Sequence, residues 1–298
     1  MTETVTSTPK AQDRVSRRMR RPRWMGHAGL ILGSTIVLVC VLMALLAPLI
    51  SPHDPYAQDL VSRFIPPVWH ESGSWEHVLG TDHLGRDYLT RLLYGAQISL
   101  VIGIGTAIVS GIIGTTIGVA AGYFGGKIDS VAMFIITARL AMPVILIALA
   151  TVALFGSSLT VVMLTLGLLL WDRFALVTRA STIQLRSQEF VTAAEIQGAS
   201  ILQIVRHEIL PNLLNNLLIV ATLEMAQAIV LEAALSFLGL GVPAPLPSWG
   251  LMISEGKASI LFEPWLITIP GVALFLLVLG TNLLGDGLRD ITTPQGRN

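Results

Sequence analysis

Three stretches of the chain, 28–50, 95–122 and 264–285, are long, apolar and free of charged residues. Each exceeds the roughly 20 residues that an α-helix needs to cross about 30 Å of hydrocarbon. Three further stretches are apolar but interrupted or short: 130–155 contains Arg139, 156–171 is only just long enough, and 213–238 contains Glu224 and Glu232. All six read as spanning helices, because backbone polar groups in lipid leave a Leu- and Ile-rich chain no alternative. Interrupted spans are also what a protein-lined pathway requires, since charges at that depth avoid lipid.

Composition agrees. Of 298 residues, 53% are hydrophobic and 13% charged, and mean hydropathy is +0.70. A soluble domain carries about 25% charged residues, so much of this surface faces something other than water. Net charge is zero, but the charge is unevenly placed. Lys10, Arg14, Arg17, Arg18, Arg20, Arg21 and Arg23 precede the first apolar run. Lys127, Arg173, Arg179, Arg186, Arg206, Arg289 and Arg297 fall on the same side after an even number of crossings, against Arg63, Arg86, Arg91 and Lys257 opposite. This bias predicts a multi-pass cell-membrane protein with both termini cytoplasmic. The basic lead resembles a signal peptide, but the apolar run that follows is too long for one and reads as a retained helix. The expected organisation is a basic tail over 1–26, disordered or lying on anionic lipid, and a first helix over 27–50. An extracytoplasmic loop follows over 51–94, then a five-helix core over 95–290 and a tail over 291–298.

One charged, small-residue-rich stretch lies between the spans on the expected cytoplasmic side. From Glu189 to Glu195 the chain suits a short helix, with Ala193 and Ala194 the strongest helix formers. Gly198 stops it by taking the left-handed cap at little cost. A second run, 201–210, is expected to end at Pro211. Two short helices at a bend make a rigid protrusion, a docking surface over 186–212. Glu189, Thr192, Ala193, Ala194, Gly198, Ala199, Ser200 and Pro211 carry it, and its small residues permit close approach of a partner.

No bond-breaking chemistry is legible. The single cysteine, Cys40, lies in an apolar run and excludes an internal disulfide or cysteine metal site. The six histidines lack the spacing of a metal-binding helix pair, and Asp82, His83 and Asp87 lack a further ligand placed to complete a shell, so no metal is expected. Gly111 to Gly118 has no lysine and sits inside an apolar span, so it is no phosphate loop. Its glycines, with Gly103 and Gly105, read as close helix packing. The chain is expected to be non-catalytic and to hold no cofactor of its own; no nucleic-acid partner is expected. In the loop before the second span, Asp82, Gly85 and Asp87 suit turns and caps, and Asp87 to Arg91 has the spacing of a helical ion pair. Three prolines in 240–249 preclude an ordinary helix there.

Four blocks carry a resemblance. Ala193-Ala194, Gly198 and Leu210-Pro211 resemble the loop by which importers of the ABC family dock their ATPases. The run from Leu79 to Ser99 resembles the outer-loop signature of the C-type membrane subunit of dipeptide and oligopeptide importers. So does the run from Glu232 to Gly241, continuing through Pro247-Ser248-Trp249-Gly250, and so does the tail from Asn282 to Asp290. The resemblance implies an all-α membrane protein with six transmembrane helices in the type I ABC importer permease fold. It implies a half-pore working by alternating access, paired with a homologous B-type permease subunit. Two cytoplasmic ABC ATPases and an extracytoplasmic peptide-binding protein would complete the assembly in the lipid bilayer. The chain departs from the family pattern at Thr192, where Glu is usual, and at Glu208, where His is usual. Thr137 stands where an acidic residue is common and Arg139 where an apolar one is. A related ABC importer for metal complexes, glutathione-like peptides or sugars, and an ion-coupled secondary transporter, remain alternatives to the peptide importer.

Arg139 and Glu224 sit roughly 15 and 20 Å into helices that start from the same side, at 1.5 Å per residue. An unpaired charge there costs at least about 2.5–3.5 kcal/mol. With Glu232 they are candidate pathway charges, and Arg139 and Glu224 are expected to pair or to line the pathway together.

Overall fold

The computed structural model describes residues 23–292, so the tails expected over 1–26 and 291–298 lie almost wholly outside the described residues. The apolar runs become helices. α1 covers Arg23–Ile50, α2 Tyr88–Phe124, α3 Gly126–Leu140, α4 Val144–Phe155, α5 Leu159–Leu169 and α6 Asp172–Arg186. α7 covers Glu189–Ile196, α8 Ile201–Ile204, α9 Leu210–Phe237, α10 Trp249–Gly256 and α11 Trp265–Thr292. Among the described residues, five helical stretches are long and apolar enough to cross a membrane, and the pair α3 and α4 makes a sixth if counted as one span.

That pair corrects the expectation of one continuous helix over 130–155. The two helices meet at 84° across Ala141-Met142-Pro143. Pro143 has no N–H to donate and its ring disfavours helical backbone at Met142, so α3 ends and α4 starts afresh with Pro143 as N-cap. The fourth span runs further than expected, from Leu159 to Arg186, because α5 and α6 together make one stretch past Trp171.

Glycines set the helix spacing at two seams. A Cβ on Gly118 would stand 2.5 Å from the Ala175 carbonyl, and one on Gly122 2.7 Å from that of Arg179. With Gly114 against Trp171 and Phe174, these form a stripe at four-residue spacing along which α2 and α6 run parallel in backbone contact. At the other seam Gly33 packs on Leu284, and Gly287 on Leu30, so α1 and α11 run antiparallel. Gly103 faces Met225 and Ile229 of α9, whereas Gly111 makes only ordinary contact with Phe174.

Two ends of the bundle follow. One carries α7 and α8, the far end of α2 and the start of α9. α11 starts beside α10, with Leu266 against Gly256, so its Thr292 end and the Arg23 end of the antiparallel α1 lie on this face as well. The opposite face carries α10 and the segment 51–87. Large apolar side chains such as Leu49, Phe134 and Leu154 stay exposed on the flanks, as a surface in contact with lipid or a partner helix requires.

Candidate docking loop and membrane-depth charges

The loop after α6 is built outward from a small apolar core. Val191 of α7, Ile204 of α8, Ile209 and Leu213 are buried together against Val119 and Tyr123 at the end of α2. Arg186 donates to the Tyr123 carbonyl and lies 5.0 Å over its ring, and Arg179 pairs with Asp129 of α3. Through this core, against which Leu185 of α6 also packs, α7 is tied to α2, α6 and α9 at once.

Local chemistry shapes the bend. The Gly198 N–H donates to the Glu195 carbonyl and the Ala199 N–H to that of Ala194, both at 3.0 Å, which is the double bond of a Schellman motif. It needs a left-handed residue, and Gly198 has φ +82°. Ser200 then caps α8 reciprocally with Gln203. Thr192, Ala193, Gly198 and Ser200 are exposed, while Ala194 and Ala199 are half-buried. The expected end of the second helix at Pro211 is not what forms. A π-helical turn, Val205–Ile209, carries α8 into α9, and the Leu210 N–H donates to the Val205 carbonyl. Pro211 is the second residue of α9, directly after the π turn. The loop is thus continuous with a spanning helix. Sequence reading also missed the tip: Ile196 is 81% and Leu202 75% exposed, flanking Gly198. Two isoleucine- or leucine-sized side chains beside a capping glycine were the available signal.

At membrane depth the charges pair differently than expected. Arg139 is buried and donates to the Leu169 carbonyl at the end of α5. Glu224, fully buried, has Arg173 at 3.2 Å. The Arg139–Glu224 ion pair is therefore not among the pairs the described residues form; Arg173 lies closer because α6 packs antiparallel on α9. Arg173 was assigned by sequence to a membrane face, yet it sits midway along the span Leu159–Arg186. Half exposed, it lines a cleft of about 290 Å³ with Leu223, Ala226, Gln227 and Asn282. Glu232 lines no open surface. It accepts from the hydroxyls of Ser236 at 2.7 Å and Ser248 at 2.9 Å, and is sealed beneath the start of α10.

The opposite face is a polar knot. Asp82 accepts from Arg86 Nε at 2.7 Å and Arg91 at 2.5 Å, and Glu255 of α10 receives Arg86 at 3.1 Å and Arg91 at 2.7 Å. The Asp87–Arg91 pair expected from spacing does not form. Asp87 instead caps α2, accepting the Thr90 N–H at 2.8 Å and lying 2.9 Å from His77 Nδ1. Trp249 Nε1 donates to the Leu92 carbonyl at 2.9 Å, with Gly95 leaving room for its ring. The segment 240–248 forms no helix, and α10 starts at Trp249; Pro243 and Pro245 are exposed and Pro247 is buried.

Residues 114–297 match the model of the binding-protein-dependent transport system inner membrane component family. Residues 17–67 match that of the N-terminal transmembrane domain of oligopeptide transport permease C. Among similar proteins are the dipeptide transport system permease protein DppC of Alkalihalophilus pseudofirmus, 40% identical (89% of this chain, 85% of that one), and DppC of Haemophilus influenzae, 36% identical (90% and 91%). The oligopeptide transport system permease protein OppC of Bacillus subtilis is 35% identical (90% and 86%). The inward-facing MetNI methionine ABC transporter superposes with TM-score 0.55 at 19% identity, over 68% of this chain and 97% of the other. Among the described residues, helices without strands, spans of this number and that likeness define the fold, that of type I ABC importer permeases. The chain belongs to the binding-protein-dependent transport inner membrane components, in their dipeptide and oligopeptide permease branch.

Proposed function

We propose that this chain is one half of the pore of an ATP-driven importer of dipeptides or oligopeptides, paired with a homologous B-type subunit. Two ABC ATPases would dock at α7 and α8, and an extracytoplasmic binding protein would deliver substrate to the face that carries α10. The observation that carries this reading is the continuity of α8, the π turn and α9. A force applied by an ATPase to the exposed knob is transmitted directly to a spanning helix whose midpoint holds Glu224 and its Arg173 partner. Both chain termini would be cytoplasmic, as the Lys and Arg distribution implies. Arg173, Gln227 and Asn282 would line the pathway, because a half-exposed arginine at mid-span is tolerated only against water or protein. The energy source lies on the partners; this chain supplies the moving walls.

The test is Gly198→Val in the reconstituted complex. A β-branched residue at φ +82° is strained by about 1–3 kcal/mol, while open space around the position leaves the fold of the spans intact. Substrate-stimulated ATPase activity is expected to fall several-fold with membrane insertion unchanged. Stimulation equal to wild type would remove Gly198 from coupling.

A further inference from the structure

His53, His77 and Asp87 come from three separate places and meet on the α10 face. His53 follows shortly after the end of α1, His77 lies in the middle of the connecting segment, and Asp87 is the N-cap of α2. The Nδ1 atoms of both histidines address the same carboxylate oxygen, His77 at 2.9 Å and His53 at 3.6 Å. Each of the three residues offers a ligand atom, a ring nitrogen or a carboxylate oxygen, within 4.8 Å of the other two. The two rings sit side by side with centroids 4.8 Å apart.

A hydrogen bond between His77 and Asp87 accounts for two of these groups and leaves the third unexplained. His53 Nδ1 is shut off from solvent and has no hydrogen-bond partner, an arrangement that costs about 1–3 kcal/mol unless something occupies it. A cation answers this. Tetrahedral zinc with Zn–N and Zn–O bonds of about 2.0–2.2 Å holds neighbouring donors roughly 3.3–3.5 Å apart, between the two separations seen here. Small adjustments of the His53 and His77 rings around Asp87 would bring the three groups to such a shell.

The surroundings suit a cation. The cluster opens on a cavity of about 190 Å³ whose wall includes Asp54, Asp59 and Glu76 and no lysine or arginine. The second Asp87 oxygen is fixed by the Thr90 N–H, which orients the carboxylate as an outer-shell bond does in metal sites. The neighbouring group Asp82, His83 and Glu255 is different, since Arg86 and Arg91 already occupy its carboxylates.

We propose that His53, His77 and Asp87 form a binding site for a zinc-class divalent transition metal, with the fourth position open to the cavity. Two imidazoles and one carboxylate select borderline ions over calcium or magnesium, which take oxygen shells. Bound metal ties the end of α1 to the start of α2 through the middle of the segment between them. Sequence alone hides the site, because the three residues follow no ligand spacing.

The test uses the purified full-length chain in detergent, stripped with a chelator and titrated with ZnCl₂ by calorimetry. One ion per chain is expected, together with a rise in the thermal unfolding midpoint that MgCl₂ and CaCl₂ do not produce. Cobalt should give the visible absorption of a four-coordinate site. His53→Gln leaves the Asp87 bonds to His77 and Thr90 untouched, so the fold persists, and is expected to weaken zinc by about tenfold or more. Absence of saturable binding in the wild-type chain, or equal binding in His53→Gln, would overturn the proposal. So would an equal response to magnesium.

Discussion

At Asp82 a single carboxylate meets four donors: the N–H groups of Leu84 and Arg86, Arg86 Nε and Arg91. Burial alone would raise its pKa, but Arg91 and Arg86 with those N–H groups outweigh it and hold the carboxyl below its ordinary value. Asp82→Asn is expected to cost about 3 kcal/mol, the lower end for breaking a buried pair, because Glu255 still receives both arginines. A depressed folded pKa also fixes the sign with pH. The stabilisation is complete above the ordinary carboxylate range and is lost as pH falls through the lower folded value. Thermal unfolding of the detergent-solubilised chain should therefore weaken toward acid, and less so in Asp82→Asn; identical acid profiles would contradict this account. Little of the knot was legible in sequence. Asp87 and Arg91 have helical spacing, but the N-cap geometry claims Asp87, and Arg91 pairs instead with Asp82, nine residues back, and with Glu255 on α10. Arg173 was misplaced for a related reason: a charge pair beside an apolar run looks like its border, when packing on Glu224 makes it the midpoint.

Among the elements, the close seam between α2 and α6 depends on the absence of side chains at Gly114, Gly118 and Gly122. Gly118→Val would drive a Cβ into the Ala175 backbone carbonyl, and overpacking of this kind typically costs about 1–3 kcal/mol. Since Leu185 of α6 packs on the core beneath the candidate docking loop, the variant is expected to lose both thermal stability and ATPase stimulation. Gly111→Ala, facing only ordinary contacts, should lose neither. Equal effects at the two positions would show that the seam is not set by backbone approach. Element existence was largely readable, since long apolar runs in lipid have only the helix open to them. Their ends were not. Hydropathy is blind to the 84° bend at Pro143, which arises from one missing donor, and to the π turn that lets α9 begin through Pro211.

For the whole molecule, the central claim is that α7 and α8 are the contact through which ATPases move this half-pore. Cys40 is the only cysteine, so Cys40→Ser gives a cysteine-free chain on which single sites can be placed. Ile196 at the exposed tip and Ser72 in the segment between α1 and α2 stand on opposite faces of the bundle. The decisive measurement is site-specific cross-linking of the assembled complex in membranes with a short cysteine-directed photoreagent. Ile196→Cys should yield a covalent adduct with an ATPase subunit whose yield changes on ATP addition, while Ser72→Cys yields none. An ATPase adduct from Ser72→Cys, or none from Ile196→Cys in a complex that still transports, would contradict the account.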